Sequence, residues 1–242
     1  LEEKLTREHA WPSWTSQHIP QEGLNSWDME FGTMEDGAVK VYDRLPKIDV
    51  ITQTVCDPCH RGFLDAQEQW ARRWLPPFIS DIGHRATPNT GEVIHLSTWM
   101  VKTAMMLDLA DALGDVVLTP AERLPFRQAE RPTPAWVLWW GWYRGIQPGY
   151  RSTKRRVTVH DDRGQEQVRM YHATFRIGHL AFAAVANLRV GTPLNVALDA
   201  LGWQRLWPPH ADVQWPPEDP GLTKAQWDDF AWRGLEYRYR AC

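Results

Sequence analysis

The chain has 242 residues, 43% of them hydrophobic, which suits one domain, or one domain with a sizeable extension, built round an apolar core. Its 27 Lys and Arg against 30 Asp and Glu give a formal net charge of −3, which argues against indiscriminate nucleic-acid binding but leaves room for a local basic groove. No apolar run reaches the roughly 18 residues of a membrane span, no secretory signal is visible, and three cysteines make no disulfide framework, so a cytoplasmic chain with no membrane contact is expected.

In chain order, "LTREHAWPSW" (5–14) sets a carboxylate beside an imidazole, Glu8 and His9, just before a Trp-Pro. Two readings stand: a catalytic pair, or a helix start in which Thr6 is the cap, although Thr-x-x-His lacks the Glu of a capping box. "AVKVYDRL" (38–45) and "DVITQTVC" (49–56) read as strands, the second leading straight into Cys56-Asp57-Pro58-Cys59. From Leu64 "LDAQEQWARRWL" is helical until Pro76 and Pro77 interrupt it. A second helix is predicted over 93–114, with Leu96, Met100, Thr103, Leu107 and Ala110 on one face and its methionines as core filler.

A Pro-rich bridge (120–134) follows, and then "AWVLWWGWY" (135–143), too short to span a membrane and read as a buried strand. "RRVTVH" and "QVRMYHATF" around "DDRG" read as a hairpin, "LAFAAVA" as a further strand, and together these form one antiparallel sheet. The densest cationic segment is "RSTKRR", where Arg151, Lys154, Arg155 and Arg156 are either a solvated loop or a patch for a phosphate backbone. Near the end Thr223 caps a closing helix containing Trp227, Phe230 and Leu235. Of the nine His, those outside the two motifs receive no functional role; His172 and His179, which flank "ATFRIG", are expected to be structural.

A single CxxC offers two of the four ligands that a tetrahedral Zn²⁺ needs, and His60, which follows Cys59, reads equally as a hydrogen-bonded histidine at a helix start. The order of "EHAWP", a β unit, "CDPCH" and a helix resembles the HNH, or ββα-metal, nuclease family. More narrowly, Leu5–Trp14, "CDPCHRGFLDAQE" and "WMVKTAM" (99–105) resemble a group of bacterial proteins with the motifs LTxEHxxPxW, CxxCNxGWxSxLE and WxxKTAM.

The resemblance implies an α+β fold: an HNH-like ββα unit in residues 1–80, then helices and a Trp-rich antiparallel sheet in 81–242, packed on it as one globule. It also implies that His9 is the general base, that Glu8 and His60 hold a catalytic Mg²⁺ or Mn²⁺, and that Cys56 and Cys59 bind a structural Zn²⁺. In the family a second CxxC just upstream of the LTxEH element usually completes the zinc site; here only four residues precede that element, and the completing pair is expected upstream of Leu1. The family's middle Asn is replaced: the strand before the CxxC offers Asp49, Thr52 and Gln53.

Two functions are therefore expected. One is a metal-dependent HNH-type endonuclease, a phosphodiester hydrolase acting on nucleic acid with DNA as first substrate, with a protein partner allowed for. The other is a non-catalytic, zinc-stapled scaffold that binds through the Trp-rich sheet. The missing Asn and low net charge favour the scaffold; the intact Glu-His pair favours the nuclease. An acyl hydrolase finds no support, since no nucleophile-elbow motif is present.

Overall fold

The computed structural model describes residues 5–19, 29–35, 38–45, 51–81, 83–110, 116–145, 150–160, 163–164, 166–188, 203–209, 213–216 and 221–227. The chain folds as α+β, with helices packed on an antiparallel sheet and two smaller strand pairs. No helix among the described residues is long and apolar enough to cross a membrane.

The first strand, β1 (Leu5–His9), pairs antiparallel with β4 (Ile51–Cys56), in a register that sets Thr6 opposite Val55, Glu8 opposite Thr52 and His9 opposite Ile51. The helix-start reading of "LTREH" is thereby overturned: the Thr6 hydroxyl donates across the ladder to the Val55 carbonyl at 3.0 Å rather than capping a helix. Between these strands lies a separate pair, β2 (Met29–Glu35) with β3 (Ala38–Leu45). After β4 come a three-residue turn of helix, α1 (Asp57–Cys59), a π-turn (His60–Leu64) and α2 (Asp65–Trp74), with non-helical dihedrals at Gly62 (φ −96°, ψ −121°) kinking the path between them. Leu75 is followed directly by Pro76 at the head of α3 (Pro76–Ser80), where a missing backbone N–H costs nothing.

The central element is α4 (Thr90–Ala110). A one-sided apolar stripe is the sequence expectation, but every residue from Leu96 to Asp108 is buried. The physical reason is its position: α4 touches β4 and α2 on one side and the five-stranded sheet on another. A helix clasped from several directions is apolar nearly all round. Met100, Met105 and Met106 fill gaps in this packing.

The segment expected as a bridge holds a helix instead, α5 (Pro120–Ala129). Thr119 and Glu122 form a capping box and Pro120 takes the first helical position, so the Pro is a helix starter here rather than a breaker. The sheet comprises β5 (Trp136–Trp142), β6 (Tyr150–His160), β7 (Glu166–Ile177), β8 (Leu180–Asn187) and β9 (Gln204–Trp207), in the order β6-β7-β8-β5-β9, every pairing antiparallel. Its two faces carry different cores. Trp136, Leu138, Trp140, Phe175 and Phe182 face the helices, while Val137, Trp139, Ala183 and Val185 join Trp203, Leu222 and Trp227 on the other side. Burial on both faces explains the unbroken apolar runs of β5 and β8, because period-two alternation between polar and apolar has no wet face to serve. Gly178 makes the β7–β8 turn with φ +56°, and a Cβ there would stand 2.5 Å from the Ile79 carbonyl oxygen, so only glycine fits.

"RSTKRR" lies in the edge strand β6, so its loop reading is also overturned. The Lys154 ammonium donates to the Asp108 carbonyl oxygen (2.8 Å) and lies 3.4 Å from its Oδ1. Asp108, fully buried near the end of α4, accepts the backbone N–H groups of Val117 and Leu118, each at 3.0 Å. The side chains of Arg151, Arg155 and Arg156 lie outside the described residues, as do Phe230 and Leu235 of the closing helix. Thr223 caps that helix by accepting from the Gln226 N–H at 3.2 Å. Replacing Asp108 with Ala strands two buried N–H groups and removes the carboxylate beside Lys154; urea denaturation is expected to show a loss of about 3–5 kcal/mol.

Candidate functional site

Four charged or titratable side chains from three sequence motifs meet where β1, α2 and α4 come together. Lys102 on α4 is only 1% exposed. It donates to Glu8 Oε1 at 2.7 Å and to Glu68 Oε1 at 2.5 Å. Glu68 on α2 is held further by two indole N–H donors, Trp14 to Oε2 at 3.0 Å and Trp99 to Oε1 at 3.1 Å. Glu8 reaches out of the cluster through its second oxygen, which lies 3.1 Å from His60 Nε2. The other ring nitrogen of His60, Nδ1, lies 3.0 Å from Thr6 Oγ1.

Local structure explains the convergence. Thr6 and Glu8 stand two apart on β1 and so share a face. The π-turn after the CxxC brings His60 back over that face, and the kink at Gly62 lets α2 continue in a new direction with Glu68 turned to α4. Irregular helical turns of this kind are frequent at functional sites.

Burial by itself would lower the Lys102 pKa, but the carboxylates of Glu68 and Glu8 overcome it and hold the ammonium above its ordinary value of 10.5. Lys102 is therefore held as a cation between the two carboxylates.

Of the site residues expected from sequence, the structure brings Glu8 and His60 into contact. His9 closes β1, half-buried and next to Glu8 in sequence. The thiols of Cys56 and Cys59 face one another, Sγ to Sγ 2.9 Å, and form no disulfide. Lys154 is turned to Asp108 on the far end of α4. Among the described residues no group of three or more His, Cys, Asp or Glu is arranged to hold a metal ion. His172 is fully buried in β7, and His179 Nδ1 lies 3.0 Å from the Tyr143 carbonyl, both structural placements.

Glu68 and Lys102 receive no role from sequence reasoning, yet they tie the site together. Their signal was in the motif letters: Glu68 ends "CDPCHRGFLDAQE", Lys102 is the lysine of "WMVKTAM", and Trp14 and Trp99 are the tryptophans of the first and third motifs. Comparisons with protein-family models, with curated proteins and with solved structures return no match.

Lys102→Met leaves the buried Glu8 and the half-buried Glu68 without their shared cation, and equilibrium denaturation at neutral pH is expected to show a loss of about 3–5 kcal/mol. The sign of the pH dependence follows from the raised pKa: the lysine stabilises the fold fully below its unfolded value near 10.5, and that contribution disappears as pH rises through the higher folded value. The unmutated protein should thus lose stability on the alkaline side of this range, while Lys102→Met responds far less; equal alkaline slopes for both would remove Lys102 from this role.

Proposed function

We propose that the chain is a metal-dependent phosphodiester hydrolase of the HNH type acting on nucleic acid, DNA first, with its chemistry in an HNH-like ββα unit spanning residues 1–80. The observation that carries the reading is the 3.1 Å separation of His60 Nε2 and Glu8 Oε2, beside the strand end that bears His9. Neighbouring ligands of an octahedral Mg²⁺ at about 2.1 Å stand about 3.0 Å apart, a spacing that this pair shares with an imidazolium–carboxylate ion pair. Mg²⁺ asks for no complete protein cage, since water and substrate phosphate oxygens commonly fill its other positions. When bound, the divalent cation supplies Lewis-acid stabilisation of charge developing on the phosphate.

The chain's own residues divide the remaining work. Lys102 occupies Oε1 of Glu8 and so leaves Oε2 turned toward His60. His9, next to Glu8 in the strand, takes the proton of the attacking water as general base. Cys56 and Cys59 supply two thiolates of a structural zinc site, whose other ligands are not among the described residues; that staple would fix the turn carrying His60.

A specific observation favours the second reading, the non-catalytic scaffold: Lys102 gives Glu8 a structural task, so the Glu-His pair does not by itself call for catalysis. Against it, Trp136, Trp139 and Trp140 of the sheet are buried, leaving the half-buried Trp142 and Trp207 for a binding surface.

His9→Ala is expected to lower Mg²⁺- or Mn²⁺-dependent cleavage of DNA by at least about a hundredfold, with the urea midpoint unchanged. Unmutated protein that leaves both DNA and RNA intact with either metal would instead establish the scaffold. The basic strand is tested separately. Changing Arg155 and Arg156 together to Ala should weaken DNA affinity and reduce the slope of log affinity against log salt by about 1.8, the contribution of two phosphate contacts; an unchanged slope takes β6 out of the interface.

A further inference from the structure

His60 engages the protein through both ring nitrogens, and the hydrogen bonds around Thr6 decide which of them carries the proton. A threonine hydroxyl has one proton to give. The Val55 carbonyl oxygen, 3.0 Å from Thr6 Oγ1, can only accept, so the proton is directed there. Toward His60 Nδ1, 3.0 Å away on its other side, Oγ1 presents a lone pair, and Nδ1 must be the N–H of the ring. In a neutral imidazole Nε2 is then a bare acceptor. It faces Glu8 Oε2, which as a carboxylate oxygen is also an acceptor, at 3.1 Å. Two lone pairs held this close need a positive centre between them: a proton on Nε2, which makes the contact an imidazolium–carboxylate ion pair, or a metal cation.

We propose that Thr6 is a positioning residue: it locks His60 in the Nδ1–H tautomer, so that Nε2 is presented, together with Glu8 Oε2, as a ready-made ligand pair for a divalent cation. This assignment rests on the metal-dependent reading above. The register of β1 against β4 makes the device possible, because it sets Thr6 directly opposite Val55. One short strand thus delivers both the carboxylate ligand and the hydroxyl that orients its partner. A ligating histidine whose second nitrogen donates to a fixed acceptor is the arrangement that orients the ring and sharpens its affinity.

The test uses Thr6→Val, which keeps the shape and strand preference of the side chain but removes the hydroxyl, and Thr6→Ser, which returns it. Long-range proton–nitrogen NMR correlations of the imidazole rings at about pH 8, above the ordinary imidazole range, report the tautomer, with His60→Gln assigning the signals. Calorimetric titration with Mn²⁺ reports affinity. Unmutated protein and Thr6→Ser should show His60 as Nδ1–H, and Thr6→Val should lose that preference. Mn²⁺ binding should weaken about tenfold in Thr6→Val, the lower end of the cost of losing such a partner, and recover in Thr6→Ser. An Nε2–H tautomer, or a ring still protonated on both nitrogens at that pH, overturns the proposal in the unmutated protein, and so does equal Mn²⁺ affinity with and without the hydroxyl. Unmutated protein that shows Nδ1–H but takes up no Mn²⁺ overturns the ligand role through the failure of the metal-dependent reading, a result the intact tautomer signal separates from a failure of Thr6.

Discussion

A lysine ammonium sealed from solvent between two glutamates governs this structure. Desolvating Lys102 is costly, and only the paired carboxylates of Glu8 and Glu68 make its burial tolerable. Each carboxylate in turn depends on the lysine, since among the described residues neither has another cation against the oxygen it shares with Nζ. Three elements are thereby fixed at one point: β1 through Glu8, α2 through Glu68 and α4 through Lys102. The indoles of Trp14 and Trp99 hold Glu68 from outside and use the hydrogen-bonding end of residues whose rings also pack in the core. Trp99 meets Phe175 and Phe182 of the sheet edge to face, so the ionic cluster and the sheet are linked through a single side chain.

At its opposite end α4 repeats the device with the charges reversed. There a buried carboxylate, Asp108, gathers two backbone N–H groups and the Lys154 ammonium from β6. The long helix is thus pinned near both ends by charge and along its middle by apolar contact. That division explains how a helix can bury all its sides and still hold one orientation: hydrophobic packing is non-directional, whereas the two ionic clusters accept only one rotation of the helix about its axis.

The sheet was the most legible part of the chain. "AWVLWWGWY" and "LAFAAVA" are unbroken apolar runs of strand length, and a strand covered on both faces has that composition. Helix α5 was concealed by the four prolines of "TPAERLPFRQAERPTP", although Thr119, Pro120 and Glu122 spell a helix start. "LTREH" carries no periodicity that separates strand from helix; its strand state comes from pairing with residues some fifty positions away. Lys154 looked like solvent-facing charge because a cationic run usually is, and only the alternation of β6 against Asp108 turns it inward. Lys102 and Glu68 stood among the motif letters, but their inward turn was hidden for the same reason. A charged residue in a helix is by default at the surface, and its burial is decided by partners that the local sequence does not contain.

The span of the Glu8–Lys102 contact has a consequence for how the protein reaches this state. It joins residues 94 positions apart, and the Trp14–Glu68 bond joins residues 54 apart. Loop-closure entropy must be met before such contacts return anything, so chains dominated by them fold slowly. β1 is five residues long with an irregular ladder, too little to hold itself in place. During synthesis from the N-terminus, both carboxylates emerge before the ammonium that reconciles them. The first eighty residues therefore contain every motif letter of the proposed site but Trp99 and Lys102, and their two acids wait as a mutually repelling pair until α4 arrives to draw them together.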